Sequence, residues 1–263
     1  MDLPTAEIVC LGNELLIGVT TNTNATFIGE KITKLGIEVR RVTCIRDDLE
    51  LAVEFFLELF ERKPDIVIVS GGLGPTYDDI QLEVLSKATN IELVKNSKAL
   101  KQIKDFYKLR ALSLTEDRVK MAYLPANAIA FDNNIGSAPG CYFKHEEMNI
   151  YCLPGVPTEM KDIMNRHVIP QLKELNRSEL FEKKFQIFGC AESQLAPFIK
   201  ELKDEFENLY IKSHPAYKDK QGIVIHISGV GDEAKPQVKT AIKKLRECFE
   251  DNFTEARVMD FEE

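Results

Sequence analysis

The N-terminal part of this 263-residue chain alternates between short apolar runs and segments with helical periodicity. The predicted elements are, in chain order, a strand at residues 7–11, a helix at 24–35, a strand at 37–45, a helix at 49–61 and a strand at 65–70. This order is typical of parallel βαβ crossovers, in which helices cover both faces of a sheet. We therefore expect an α/β fold with three α/β/α layers and a mostly parallel sheet. Such sheets bind ligands outside the carboxyl ends of their strands.

A glycine-rich segment follows the third predicted strand. Gly71, Gly72 and Gly74 stand close together, and Asp78 and Asp79 come next, near the predicted start of a helix. Glycines let the backbone approach a ligand closely, and free N–H groups near a helix N-terminus suit a phosphate. Because carboxylates repel phosphate unless a cation lies between them, the combination predicts a phosphorylated ligand with a Mg²⁺-type ion on Asp78 or Asp79. Structural turns use the same residue types, so this segment alone leaves both interpretations open.

Other acidic or turn-forming segments also follow predicted strand ends. They lie at residues 12–14, 47–48 and 154–157. Further predicted elements are a helical region at residues 99–123 with a helix start at 115–118, a turn-rich segment at 133–140, a hairpin of strands around 141–143 and 149–153, and a helix at about 158–175. Because the carboxyl ends of parallel strands meet at one edge of a sheet, we expect residues 12–14, 47–48 and 71–79 to lie at that edge. Residues 154–157 leave two interpretations open, a structural turn at the end of the hairpin or a second wall of the same pocket.

The C-terminal part of the chain has a different order of elements. A polar segment at residues 175–182 is typical of a linker. The elements predicted after it are a strand at 184–188, a helix at 192–207, strands at 209–212 and 222–228, a helix at 232–249 and a strand near 257–259. The order β-α-β-β-α-β predicts a ferredoxin-like α+β sandwich. We expect two domains, an α/β domain at 1–175 that carries the site and a small α+β domain at 183–263.

Composition limits the kinds of molecule that this protein is expected to bind. A formal net charge of −8 provides no general attraction for nucleic acid or anionic lipid. No apolar run approaches the ~20 residues that a membrane-spanning helix needs. The first residues include neither the basic region nor the apolar region of a secretory signal. We therefore expect a cytoplasmic protein that binds neither nucleic acid nor membranes.

Several motifs stand in the order seen in the N-terminal region of the CinA (competence/damage-inducible protein) family, which this chain resembles over nearly its whole length. They lie at residues 12–18, 22–24, 47–48, 71–79, 136–140 and 153–160. Residues 188–193 resemble the start of the small α/β domain of that family. Motifs in a fixed order are more specific than one glycine loop, and they favour the functional interpretation of residues 71–79.

The resemblance implies a molybdopterin-binding fold of the MoaB/Mog type and a hydrolase. Its substrate would be ADP-ribose or a related dinucleotide, cleaved to AMP and a phosphorylated product with Mg²⁺, Mn²⁺ or Co²⁺ as divalent cofactor. One alternative is an adenylyltransferase for molybdopterin, or a molybdopterin-binding protein, in molybdenum cofactor biosynthesis. A second is a non-catalytic module that binds a nucleotide or pterin phosphate. The resemblance also implies a homodimer or homotrimer, and a stand-alone form without the C-terminal nicotinamide-nucleotide amidase domain.

Catalytic and metal-binding roles are carried over to four acids. The candidate catalytic residues are Asp47, Asp48, Asp78 and Asp79. Asp79 is the first candidate for a metal ligand, and an aspartate of the pair Asp47 and Asp48 would either hold the ion too, with Asp47 preferred, or act as general base. The water-derived nucleophile of a hydrolase would attack a phosphorus atom while the cation neutralises developing charge.

Substrate or phosphate binding is carried over to a larger set of residues. This set consists of Gly71, Gly72, Gly74, Pro75, Thr76, Gly12, Asn13, Glu14, Asn24, Ser137, Pro154 and Gly155. Glu14 has three open roles, namely contact with a ribose hydroxyl, contact with a metal ion, or capping of a turn. Gln81 departs from the family, which more often has threonine there, and a threonine hydroxyl that touched metal or phosphate would be missing from this chain.

Overall fold

The computed structural model describes residues 3–175, 178, 180–215, 222–253 and 257–260. Part of the predicted linker therefore lies outside the described residues. The chain divides into two units, Met1–Arg177 and Ser178–Glu263.

The first unit contains a six-stranded sheet with the order β2-β1-β3-β8-β7-β6. Its strands are β1 (Thr5–Leu11), β2 (Glu38–Ile45), β3 (Ile66–Ser70), β6 (Ile129–Phe131), β7 (Gly140–His145) and β8 (Met148–Leu153), and a separate two-stranded sheet contains β4 (Leu93–Lys95) and β5 (Tyr123–Pro125). Strands β2, β1, β3 and β8 are parallel, whereas β7 is antiparallel to both of its neighbours. The predicted mostly parallel sheet is confirmed.

Helices cover both faces of this sheet. They are α1 (Asn13–Leu16), α2 (Thr23–Thr33), α3 (Leu49–Glu61), α4 (Gln81–Thr89), α5 (Ser97–Leu109), α6 (Glu116–Lys120), α7 (Pro157–Ile163) and α8 (Ile169–Leu175). Alternate residues of β1 point into two separate apolar cores, with Val9 and Leu11 in one and Ile8 and Cys10 in the other. Residues of α3, α4 and α5 complete the first core, and residues of α2, α7 and α8 complete the second. The three-layer α/β/α prediction is therefore confirmed.

Three predicted helical segments differ from the observed ones. The helical region predicted at residues 99–123 is interrupted, because α5 ends at Leu109 and Ala111 adopts a positive φ of 52°, and the helix start predicted at 115–118 is confirmed. A new helix, α6, begins after Thr115, whose hydroxyl oxygen accepts a hydrogen bond from the Arg118 N–H. The helix expected at 158–175 is divided by a π-helical turn at Met164–Val168 between α7 and α8. The loop between β3 and α4 is also longer than expected, because α4 begins at Gln81 and not at Asp78 or Asp79.

The second unit is a four-stranded antiparallel sheet with two helices. Its elements are β9 (Leu180–Phe188), α9 (Glu192–Glu205), β10 (Tyr210–Pro215), β11 (Ile223–Val230), α10 (Ala234–Asn252) and β12 (Arg257–Asp260). The strand order is β10-β11-β9-β12. Leu195 and Leu202 of α9 and Val238 and Leu245 of α10 pack in one apolar core with alternate residues of the strands. This is the predicted ferredoxin-like arrangement.

Within the described part of the chain, every helix is too short or too polar to span a bilayer.

Candidate functional site

A cavity of about 490 Å³ lies at the carboxyl ends of β1, β3 and β8. Most of the predicted site residues line it, namely Gly12, Glu14, Asp47, Gly71, Gly72, Gly74, Pro75, Thr76, Asp78, Asp79, Ser137, Pro154 and Gly155. The sheet order explains why these residues converge. Strand β3 lies between β1 and β8, and all three strands are parallel, so their carboxyl ends meet at one edge of the sheet. The expected common pocket is therefore present in the fold, while the roles of its residues stay predictions.

The turn after β3 requires glycine. Gly71 has a φ of 104°, and a Cβ atom on it would lie 2.2 Å from the carbonyl oxygen of Leu11. Gly72 also has a positive φ, 74°. Side chains at these two positions would separate the ends of β1 and β3 or strain the backbone. The glycines thus bring the main chain itself to the cavity wall.

The carboxylate of Asp79 folds back onto this turn. Its Oδ2 atom accepts hydrogen bonds from the Thr76 N–H at 2.8 Å and from the Thr76 hydroxyl at 2.7 Å. The same hydroxyl contacts the carboxylate of Asp78, although it has only one proton to donate. A Cβ atom on Gly74 would lie 2.5 Å from Asp79 Oδ2, so the glycine makes room for the acid.

The two neighbouring acids after β2 have different environments. Asp47 lines the cavity, and its Oδ2 atom accepts a hydrogen bond from the Asn13 N–H at 2.9 Å. Asp48 does not line it, because its side chain caps α3 by accepting a hydrogen bond from the Leu51 N–H at 3.1 Å. Asn13 contributes its backbone to the support of Asp47 and likewise stays outside the cavity lining.

The pKa of Asp47 is raised above its ordinary value. Partial burial is the main cause, and the negative charges of Glu14, Asp78 and Asp79 add to it, against the opposing effect of the Asn13 N–H. The cavity therefore concentrates negative charge in the absence of a ligand.

Asn24 lies beside the main cavity rather than in its lining. Its Nδ2 group donates hydrogen bonds to Ser70 Oγ at 2.9 Å and to the Gly155 carbonyl oxygen at 2.8 Å. It thereby joins the end of β3 to the turn after β8. A smaller cavity of about 70 Å³ adjoins Asn24, Glu14 and Ser70.

Gln81 is fully buried behind the glycine turn. Its Nε2 group donates hydrogen bonds to the carbonyl oxygens of Gly71 and Leu153. It is absent from the cavity lining, so Gln81 supports the turn and does not face the cavity.

A family model described as "Probable molybdopterin binding domain" matches residues 7–174. This chain belongs to the molybdopterin-binding domain family. A protein of Saccharolobus islandicus is 40% identical over 246 residues, which cover 94% of this chain and 93% of the relative. A protein of Sulfurisphaera tokodaii is 40% identical over 252 residues, which cover 94% and 95%.

Solved structures resemble the molybdopterin-binding domain of this chain. CinA from Thermoplasma acidophilum, a protein of unknown function, is 37% identical with a TM-score of 0.60, and the match covers 64% of this chain and 98% of CinA. The resemblance to CinA is therefore confirmed. The tungsten cofactor synthesizing protein MoaB from Pyrococcus furiosus is 19% identical with a TM-score of 0.42, over 66% of this chain and 98% of MoaB.

Two side chains of the molybdopterin-binding domain were missed by the sequence analysis. Glu159, in the first turn of α7, lines the cavity, and burial raises the pKa of its carboxyl group. Its place in the CinA-like motif at 153–160 was an available signal. Lys120 of α6 donates hydrogen bonds from Nζ to the carbonyl oxygens of Thr76 at 2.6 Å and Asp79 at 3.1 Å. No local pattern links Lys120 to the glycine turn.

Proposed function

We propose that the cavity binds the phosphate groups of a pterin phosphate or a nucleotide and promotes reaction at a phosphorus atom. The observation that supports this proposal is that the glycine turn lines one cavity together with acidic side chains, among them Glu14, Asp47, Asp78 and Asp79. Backbone N–H groups of the turn would bind phosphate oxygens, which is a common use of glycine turns before helices. The Ser137 hydroxyl would add a donor, and the Thr76 hydroxyl would add another by turning its single proton from Asp79 to the phosphate.

A divalent cation suits the oxygen donors of this cavity. Among the described residues, no three acidic, histidine or cysteine side chains cluster closely enough to hold a metal ion by themselves. Mg²⁺ is commonly bound by one or two carboxylates, while water and substrate phosphates complete its shell. Asp79 and Asp47 would be those carboxylates. A cation there would offset both the burial and the neighbouring negative charges that raise the pKa of Asp47. When bound, the cation would neutralise charge on phosphoryl oxygens, and Mn²⁺ or Co²⁺ would suit the same donors.

The first candidate reaction is adenylylation of molybdopterin. It is supported by the description of the family model that matches residues 7–174. An oxygen of the pterin phosphate would attack the α-phosphorus of a nucleoside triphosphate, and pyrophosphate would leave. The nucleophile is already an anion, so this reaction needs orientation and charge neutralisation more than it needs a base.

The second candidate reaction is hydrolysis of ADP-ribose to AMP and ribose 5-phosphate. A specific observation favours it, namely the additional carboxyl group of Glu159 in the cavity lining, with a raised pKa. Water is a poor nucleophile at neutral pH and gains from a base near it. ADP-ribose, FAD and NAD share the adenosine diphosphate part that a phosphate-binding turn recognises, so all three belong in a substrate panel.

One experiment separates these reactions. Purified protein is incubated with ADP-ribose, FAD or NAD, and separately with molybdopterin and ATP, in the presence of Mg²⁺, Mn²⁺ or Co²⁺. Chromatography then measures AMP, adenylylated pterin and pyrophosphate, and calorimetric titration measures the binding of each ligand. EDTA and the Asp79→Asn variant serve as controls.

Each outcome has a distinct meaning. Metal-dependent AMP from a dinucleotide supports the hydrolase, and adenylylated pterin with pyrophosphate supports the transferase. Ligand binding without either product leaves a non-catalytic binding module. Absence of both binding and turnover contradicts the proposal.

We also propose that the protein is a homodimer or homotrimer, as the resemblance implies. Size-exclusion chromatography with light scattering measures the mass directly, and a mass of about 30 kDa would contradict this proposal because the single chain has a mass of 29.9 kDa.

A further inference from the structure

Glu159 lies at a defined position in the cavity wall. It stands in the first turn of α7, which follows the turn at the carboxyl end of β8. Its side chain is about half buried and lines the same cavity as Gly72, Gly74 and Thr76. A phosphate held by the glycine turn would therefore share the cavity with this carboxylate.

Asn133 holds the Glu159 carboxylate in place. The Asn133 Nδ2 group donates a hydrogen bond to Glu159 Oε2 at 2.6 Å and another to the Ala138 carbonyl oxygen at 2.8 Å. Asn133 Oδ1 accepts hydrogen bonds from the N–H groups of Ile135 and Gly136. Asn133 is only 5% exposed, so this anchor is itself rigidly held.

Gly136 provides the space that the carboxylate occupies. A Cβ atom on Gly136 would lie 2.1 Å from the Glu159 carboxyl carbon, far inside van der Waals contact. Any other residue at this position would displace the Glu159 side chain. The turn at residues 133–138 is thus shaped around the acid.

No cation neutralises Glu159 among the described residues, where its one hydrogen-bond donor is the neutral amide of Asn133. The other ionisable groups in the cavity lining are acids too, namely Glu14, Asp47, Asp78 and Asp79. Burial makes the charged form of Glu159 less favourable and raises its pKa. A carboxylate that is fixed, unpaired by any cation and open to the cavity is suited to take a proton.

We propose that Glu159 is the general base that removes a proton from the attacking water when this cavity hydrolyses a phosphoanhydride. The proposal rests on the hydrolytic candidate of the proposed function. The water oxygen forms a bond to one phosphorus, and the bond from that phosphorus to the bridging oxygen breaks. The bridging oxygen leaves with the electron pair on the departing phosphate, and the proton of the water passes to a Glu159 carboxylate oxygen and then to solvent.

The test compares Glu159→Gln, Glu159→Asp and a control, Glu147→Gln. Glutamine retains an oxygen that can accept the Asn133 hydrogen bond and has nearly the same volume. Glu147 lies in the hairpin turn before β8, at the other end of that strand, and its side chain is 96% exposed. Thermal melting of each variant checks that it folds.

Glu159→Gln should lower kcat for AMP release from ADP-ribose by about 10²- to 10⁴-fold, which is the usual contribution of a general base. The Kd for a non-hydrolysable methylene analogue of ADP-ribose should stay unchanged. The rate of the wild-type protein should rise with pH through an acidic limb, and this limb should be lost in Glu159→Gln. Glu159→Asp should recover part of the rate, and Glu147→Gln should behave like the wild type.

Three results would overturn the proposal in distinguishable ways. If the wild type releases AMP and Glu159→Gln does so equally fast, hydrolysis stands but Glu159 is not its base. If the wild type binds the analogue but releases no AMP with any of the three cations, both the hydrolytic function and the base are wrong. A change in the analogue's Kd that matches the loss of rate would assign Glu159 to ligand binding instead.

Discussion

The Oδ2 atom of Asp79 accepts hydrogen bonds from the backbone N–H and from the hydroxyl of Thr76, at 2.8 and 2.7 Å. These two bonds close the glycine turn on itself. Asp79 therefore shapes the turn in addition to presenting charge to the cavity. A test of its proposed metal-binding role must separate these two contributions.

Asp79→Asn should reduce turnover by at least about 100-fold, because the substitution removes the charge proposed to hold the cation. The amide oxygen of asparagine can still accept the Thr76 N–H, so the turn and the melting temperature should be retained. Product formation at saturating metal, together with thermal melting, measures both effects. Wild-type turnover in this variant would show that the assigned metal role is wrong.

Thr76→Val should weaken phosphate binding while preserving the backbone N–H and the side-chain volume. Loss of one hydroxyl donor is expected to raise the Kd about 5- to 10-fold, equivalent to about 1 kcal/mol. Calorimetric titration with ADP-ribose or a pterin phosphate measures the change. Tyr77→Phe is the matched control, because the Tyr77 side chain is 94% exposed and outside the cavity lining. An unchanged Kd in Thr76→Val would contradict phosphate binding by this hydroxyl.

Asp47→Asn and Asp48→Ala should change stability in opposite directions. A folded-state pKa above the ordinary value means that the folded state favours protonated Asp47, so its ionisation costs stability as pH rises through the raised pKa. Asp47→Asn removes that cost and should raise the melting temperature of the metal-free protein at neutral pH. Asp48→Ala removes the cap of α3 and should destabilise the protein by about 1 kcal/mol.

Melting curves at several pH values test this pair. The advantage of Asp47→Asn should shrink as pH falls through the raised pKa and disappear below the ordinary aspartate value of 3.8, because Asp47 is then protonated in both the folded and the unfolded state. Added Mg²⁺ should stabilise the wild type more than Asp47→Asn. A lower melting temperature for metal-free Asp47→Asn at neutral pH would disprove the claim that ionised Asp47 costs stability.

Gly71→Ala should destabilise the protein far more than Gly18→Ala. Both glycines have positive φ, 104° and 75°, but only the Cβ at position 71 would meet a neighbour, the Leu11 carbonyl oxygen. Backbone strain alone should cost Gly18→Ala about 1 kcal/mol, whereas Gly71→Ala should lose more than about 3 kcal/mol. Urea unfolding measures both values, and similar losses would show that the close approach of β1 and β3 is not required.

The order of strands and helices could be predicted from the sequence because it depends on local patterns. The β-branched run of β3 and the glycines after it are contiguous, so burial and turn geometry are encoded by neighbouring residues. The same holds for the β-α-β-β-α-β order of the second unit. The end of α5 at Leu109 could not be predicted, because the positive φ of Ala111 follows no sequence signal for a turn.

The location of the cavity at the carboxyl ends of the strands could be predicted, but the contacts of its individual side chains could not. Asp47 and Asp48 are adjacent residues of the same type. Because the backbone of Asp48 is extended at the start of α3, the Asp48 side chain caps that helix, whereas the Asp47 side chain lines the cavity. The position of the Glu159 carboxylate depends on the hydrogen bond from Asn133 and on the space left by Gly136, and both residues belong to a segment distant in sequence. The sequence by itself determined the layers, the glycine turn and the edge of the sheet where a ligand would bind, because these follow from local propensity and strand direction. Only the tertiary structure decided which carboxylates face one another there, because that depends on how segments far apart in the chain pack together.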